Sequence, residues 1–156
     1  MNTVNEAIAN HAFFHGMKAE HLSLLTDGAN AVQFKVGDLL FHEGDPANQL
    51  YLLESGIIAL EAREPGNGAT LLQTLGAGDV LGWSWLFPPF TWHSQARTIE
   101  PTKAIALNGA HLLVTAERNH DFGYELMKRV AQVVIHRLQA TRKELLALQI
   151  ESALEG

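Results

Sequence analysis

The sequence contains no cysteine. That excludes disulfides, thiolate nucleophiles, iron–sulfur clusters and cysteine-type zinc sites, and it fits the cytoplasm. Cationic groups are in the minority. Eleven Lys and Arg against 17 Asp and Glu give a net charge of −6, which disfavours non-specific nucleic-acid binding. No basic region followed by an apolar run marks a signal peptide, and the most apolar stretch is too short and too interrupted to span a bilayer. None of the eight histidines forms a His-x-His or His-Glu-x-x-His arrangement. His11 and His15 are four apart without further motif, and haem ligation by His93 or His136 has no motif behind it. Phosphate loops, dinucleotide fingerprints and Gly-x-Ser-x-Gly are missing as well. No catalytic residue and no metal site is therefore assigned, and the chain is expected not to be an enzyme.

Aromatic residues are scarce but gathered. All three tryptophans lie within Val80-Leu-Gly-Trp-Ser-Trp-Leu-Phe-Pro-Pro-Phe-Thr-Trp-His-Ser94. Pro88 and Pro89 forbid a continuing helix or a central strand there. The stretch reads as a tight turn, with one helical turn over Gly82–Leu86, set between two strands. Its aromatics either line a pocket or plug a small core, and the residues alone leave both readings open.

At 156 residues one domain is predicted. Residues 4–15 read as short and mixed, anchored by Phe13-Phe14. Lys18–Leu25 has helical spacing and stops at Asp27-Gly28. From Ala29 apolar and polar residues alternate. Strands are expected over 32–36, 39–41, 49–53, 57–61, 70–75, 94–99 and 103–107. Turns are expected at Gly37-Asp38, Glu43–Pro46, Ser55-Gly56, Pro65–Gly68 and Glu100–Thr102. Such spacing argues for an antiparallel sandwich or barrel. Asn108 and Asp121 are each placed to cap a following helix. From Tyr124 to Leu148 there is no Gly or Pro, and Ala131, Val134, Leu138, Thr141, Leu145 and Leu148 recur in steps of three and four. That is a heptad seam, and a second copy of the chain is its simplest partner. The plainer alternative is a helix that packs only on its own barrel.

The motifs fall in a familiar order. Phe13-Phe-His-Gly-Met-Lys-Ala-Glu-His-Leu22, Val36-Gly-Asp-Leu-Leu-Phe-His-Glu-Gly-Asp45, Leu50-Tyr-Leu-Leu-Glu-Ser-Gly56 and Gly78-Asp-Val-Leu-Gly82 resemble the successive signatures of the cyclic nucleotide-binding domain. The resemblance covers roughly residues 12–148, and Gly-Trp-Ser-Trp-Leu-Phe-Pro-Pro is similar to a bacterial subgroup of small proteins with this domain. It implies a mainly β fold with flanking helices: an antiparallel β-roll or jelly roll (double-stranded β-helix), a short N-terminal helix and a long C-terminal one. The implied segments are 1–28 (helical), 29–108 (β-roll, with a phosphate-cassette-like turn at 78–94) and 109–156 (helical, dimerising).

The resemblance also implies a site, with losses. Gly82 keeps the cassette glycine, but Trp83 stands where the family has a ribose-gripping Glu. Trp92 and His93 stand where an Arg and a Ser or Thr meet the cyclic phosphate. Arg-Leu-Gln-Ala-Thr141 resembles the base-facing segment of the long helix, so Arg137 and Thr141 would face the ligand. The implied ligand-binding set is Gly82, Trp83, Ser84, Trp92, His93, Ser94, Arg137 and Thr141. The implied dimer interface is Val134, Leu138, Thr141, Leu145 and Leu148. Free amides at Gly82–Ser84 and a protonated His93 are expected to retain some affinity for an anion. The expected occupant is a cyclic nucleotide, or a flatter and less charged ligand stacked on Trp83, Trp85 or Trp92; no cofactor is assigned. The partners expected are a second copy and a downstream protein, without a membrane. About eight residues follow Leu148, too few for the family's helix-turn-helix. The implied function is a ligand sensor or signalling module with a degenerate cassette. The alternative is a ligand-free dimerisation or docking module.

Overall fold

Residues 3–66 and 68–155 are described in the computed structural model. The chain enters through α1 (Thr3–Asn10), a 3-10 turn at Ala12–Phe14, α2 (Ala19–Leu22) and a second 3-10 turn at Ser23–Leu25. The segment read as short and mixed thus holds a helix and a 3-10 turn. Its few apolar residues suffice because Ile8 is buried with Phe13, Phe14 and Met17, and Val4 and Ala7 pack against that group.

Six strands follow: β1 (Asn30–Phe34), β2 (Leu39–Phe41), β3 (Gln49–Glu64), β4 (Gly68–Leu75), β5 (Val80–Leu81) and β6 (Gln95–Asn108). They form one antiparallel sheet in the order β1-β6-β3-β4, with β2 paired to β6 and β5 to β3. The fold is the expected antiparallel β-roll with flanking helices.

Two expected breaks are absent. Ser55-Gly56 does not end β3, and Glu100-Pro101-Thr102 does not divide β6. The two signals meet across the sheet. The β3–β6 register shifts at Leu53/Ser55, Ser55/Ile57 and Ile57/Ile58, opposite Thr98–Ala104, so both strands continue through an irregular crossing. Gly56 sits there with φ +97°, and a Cβ on it would lie 2.5 Å from the Pro101 carbonyl oxygen. Sequence turns that face one another across a ladder can be bulges. The expected turn at Pro65–Gly68 closes a hairpin paired out to Glu64 and Gly68; Asn67 is outside the described residues.

The middle of the sheet is covered on both faces. On β3, Leu50 and Leu52 join a core shared with the helices, while Tyr51 and Leu53 join the interior of the roll. On β6, Ile105 and Leu107 face the helices, while Ala104 and Ala106 face inward. The near-continuous apolar runs 50–53 and 104–107 follow from burial of both faces.

Then come α3 (Gly109–Arg118) and α4 (His120–Glu155). Asn108 caps α3 as expected, its Oδ1 accepting from the His111 amide at 2.9 Å. The cap of α4 differs from expectation. Asn119, not Asp121, accepts from the Phe122 amide (3.1 Å), and Asp121 lies inside the first turn, where its charge suits the helix dipole. The break between the helices is a single extended residue, Asn119 (φ −128°, ψ 98°). Phe122, Leu126 and Val130 anchor the first half of α4 in the helical core. Ala131, the first residue of the heptad seam, is exposed instead, so the stripe that docks α4 is not the seam. Among the described residues no helix is long and apolar enough to cross a membrane.

Candidate functional site

The three tryptophans of the cassette turn point three ways. Trp85 goes into the helical core, where its Nε1 donates to the Gly82 carbonyl at 2.6 Å. Gly109 makes room for it, since a Cβ there would come within 2.7 Å of the indole. Trp92 goes into the roll and stacks on Phe41 with centroids 3.9 Å apart and planes 12° from parallel. Trp83 stays half-buried beside α4, with the Arg137 guanidinium 4.4 Å above its ring centroid.

This arrangement closes the end of the site at Gly82. Gly82 has φ +95°, and a Cβ on it would lie 2.7 Å from Trp92 and 2.7 Å from the Gln49 carbonyl oxygen. Only glycine fits such a backbone in so tight a place. The space beneath Gly82 is filled by indole. The expected amide nest is also reduced: Ser84–Leu86 is one 3-10 turn with the Ser84 carbonyl bonded to the Phe87 amide, too short to build a helix dipole. His93 is exposed and Ser94 half-buried, and neither lines the cavity described next.

The α4 end is open. A cavity of about 550 Å³ lies between the roll and the helix. Leu60, Leu71, Leu72 and Trp83 form its roll side, and Val134, Leu138, Leu145 and Leu148 its helix side. Gln73, Arg137, Thr141 and Glu144 supply its polar groups. Arg137 donates to the Val80 carbonyl, so one side chain ties α4 to both β5 and the cassette turn. Burial pushes its pKa down to about 10, offset in part by the charge of Asp79; it remains a cation at neutral pH. The Gln73 amide donates to the Arg137 carbonyl (3.2 Å) and to Thr141 Oγ1 (3.1 Å), fastening β4 to the same turn of helix.

Of the implied ligand residues, the structure brings Trp83, Arg137 and Thr141 together. Gly82 and Trp92 meet at the closed end, and Ser84, His93 and Ser94 line neither place. Stacking on Trp85 or Trp92 is excluded by their burial at 3% and 4% exposure. Leu60, Leu71, Leu72 and Gln73 were missed. Leu71-Leu72 carried a signal: adjacent leucines break the alternation of a strand. The β3–β4 register shifts at Leu60/Glu61, where Leu60 pairs with Gln73 and Glu61 with Leu71.

A larger cleft, about 680 Å³, lies on the other side of Arg137, between the N-terminal segment and α4. It shares Arg137 with the first cavity, and its other arginine is already engaged: Arg129 donates to the Phe13 carbonyl (2.7 Å) and to Glu125 (3.0 Å). Burial raises the Glu125 pKa, but the His21 and Arg129 hydrogen bonds outweigh it and hold the carboxyl below its usual range. That network fastens α2 to α4. His11 is buried, bonded to the Leu53 carbonyl (3.0 Å) and capping Phe13, whereas His15 is exposed, so the pair shares no site. No group of three His, Asp or Glu suited to a metal occurs among the described residues.

Comparison with known proteins agrees with this geometry. The sequence profile of the Cyclic nucleotide-binding domain matches residues 31–119. A CRP-like cAMP-activated global transcriptional regulator of Mycobacterium tuberculosis is 28% identical over 143 residues, covering 91% of this chain and 62% of the relative. The Cyclic AMP receptor protein of Thermus thermophilus is 27% identical over 140 residues, 90% of this chain and 63% of that protein. The chain therefore spans somewhat less than two thirds of these relatives. A crystal structure from Geobacter metallireducens GS-15 is 28% identical with a TM-score of 0.78, covering 88% of this chain and 99% of that one. Thermus thermophilus Catabolite Activator Protein superposes with a TM-score of 0.69 at 26% identity, over 91% of this chain and 65% of that one. The chain belongs to the cyclic nucleotide-binding domain family.

Proposed function

We propose that the chain is a non-enzymatic small-ligand sensor of the cyclic nucleotide-binding type with a degenerate cassette, whose ligand sits between the roll and α4. The observation that carries this reading is the position of Arg137. It touches the cassette through Trp83 and Val80 and also lies on the wall of the cavity. A ligand that draws Arg137 away from Trp83 alters the joint between roll and helix, and α4 responds. The single extended residue at Asn119 is where α4 can pivot against α3. Val134, Leu138, Thr141, Leu145 and Leu148 form the proposed homodimer interface, which carries the response to a second copy or to a downstream protein.

A second reading draws on Trp92. An indole filling the phosphate end suits a ligand-free dimerisation or docking module. The cavity beside Trp83 favours the first reading.

Thermal-shift screening separates the two. Cyclic AMP, cyclic GMP, cyclic dinucleotides and a general small-molecule library are screened against the full chain. A ligand at a hundred times its dissociation constant stabilises by about 2.7 kcal/mol, or roughly 5–10 °C at this size. The sensor reading expects at least one such shift, lost in Leu72→Glu, which sets a charge on the cavity wall. A flat screen, or shifts unaffected by Leu72→Glu, refutes it.

A further inference from the structure

We propose that the cavity under α4 takes a planar aromatic molecule with a single anionic group, seated with its ring beside Trp83 and its charge at Arg137, in preference to a cyclic nucleotide. This rests on the sensor reading and names the ligand class for the same site.

The polarity of the walls sets the class. Arg137 is cationic and half-buried, yet among the described residues no carboxylate lies within 4 Å of it. Its direct partners are one backbone carbonyl and one indole face, and Asp79 acts on it through its charge without an ion-pair contact. A guanidinium has five N–H donors, so most of its capacity is unspent. The Gln73 amide and Thr141 hydroxyl lie beside it. One end of the cavity thus offers a cation and the Thr141 hydroxyl; both amide protons of Gln73 are already spent, on the Arg137 carbonyl and on Thr141 Oγ1. The rest offers Leu60, Leu71, Leu72, Leu138 and Leu145, which have no polar group to give. Buried charge calls for a counter-charge, and leucines call for an apolar body.

The same walls disfavour a cyclic nucleotide. A ribose and a cyclic phosphate bring several oxygens that need donors. The place where the family's cassette would receive them is filled by the Trp92 indole beneath Gly82. Glu144 lies on the cavity wall two helical turns beyond Arg137, about 10 Å along the axis, and repels a second anionic group there, such as the second phosphate of a cyclic dinucleotide. A volume of about 550 Å³ suits a body of two or three fused rings.

Isothermal titration calorimetry on the full chain tests the class with 2-naphthoate, its uncharged counterpart 2-naphthamide, and cyclic AMP. One naphthoate per chain is expected, held about tenfold or more tighter than the amide, the size of a charge-assisted hydrogen bond. Arg137→Gln should bring acid and amide to equal affinity, Arg137→Lys should retain the preference, and Leu72→Glu should remove binding of both. Circular dichroism and thermal melts confirm that each variant is folded. Equal binding of acid and amide by the unaltered chain, a preference that survives Arg137→Gln, or no saturable binding of naphthoate each overturns the proposal. Cyclic AMP binding more tightly than naphthoate and displacing it overturns the ligand class while the sensor reading stands. Failure of naphthoate together with a flat library screen removes both.

Discussion

At the cassette end of the site, rings lock together: Trp92 on Phe41, its edge under Gly82, and Trp85 against Gly109. At the α4 end, Leu138, Leu145 and Leu148 are 66%, 56% and 62% exposed, and Arg137 rests on the half-buried Trp83. One end is interior, with the density of a core. The other is an exposed apolar wall. Both ends contain tryptophan, so residue type did not decide between them. Position did: Trp92 lies just before a strand whose neighbours face into the roll, and Trp83 follows the positive-φ Gly82 that turns the chain toward α4. One end of this site is therefore filled by the chain's own rings while its other end stays open.

The largest test of that contrast swaps each tryptophan for alanine. Trp92→Ala removes a buried indole from a packed interior and should cost about 3–5 kcal/mol in urea unfolding. Trp83→Ala removes a half-exposed ring and one cation–π contact and should cost about 1–2 kcal/mol. Equal costs would mean that the open end is as much a core as the closed one.

A smaller effect is expected from the clamp on the strand that leaves the cassette. The buried Glu61 accepts from Gln95 (2.8 Å) and from two nitrogens of Arg97 (3.0 and 2.7 Å) across the β3–β6 ladder. The Arg97 hydrogen bonds outweigh burial and hold the Glu61 carboxyl below its usual range. A depressed carboxyl binds fewer protons folded than unfolded. Its contribution is therefore complete above the unfolded value of about 4.3 and is lost as the pH falls through the folded one. Glu61→Gln should lower the urea midpoint at pH 7, and the gap from the unaltered chain should narrow as the pH falls from about 5 to 3. A gap that holds constant with pH would show that the clamp acts through shape and not charge.

The sequence revealed the roll and the start of α3 better than the paths between its strands. Alternation marked β1, short apolar runs between turn residues marked β2 and the ends of β3 and β6, and Asn108 announced α3. Ser55-Gly56 and Pro101 misled because a bulge and a turn use the same residues, and only the opposite strand distinguishes them. Asp121 misled because Asn119, two residues earlier, competes for the same role. In the site, Arg137 and Thr141 came from the resemblance to the family's base-facing segment, and both lie on the cavity wall. The separate fates of Trp83, Trp85 and Trp92 were not legible, since an irregular turn has no period to read. Leu71, Leu72 and Gln73 became wall residues through the β3–β4 irregularity, which depends on Leu60 more than ten residues away.

The smallest effect on the fold is expected at the open end, and it bears on assembly. Leu138 and Leu145 lie on the proposed seam and also on the cavity wall, while Phe122, Leu126 and Val130 dock α4 from a different stripe. Replacing both leucines with glutamate should leave the unfolding midpoint of an isolated chain within about 0.5 kcal/mol, because exposed positions carry little intrachain packing. A coiled-coil seam cannot bury two such charges, so sedimentation velocity should shift from dimer to monomer. The double replacement should also cost ligand affinity, since a second copy laid along the seam would cover the cavity that those leucines line. A dimer that persists with both glutamates in place would move the interface elsewhere and leave the cavity open to solvent. An unaltered chain already monomeric at micromolar concentration would assign the exposed leucines to a different partner. Either result would separate what covers α4 from what fills the space beneath it.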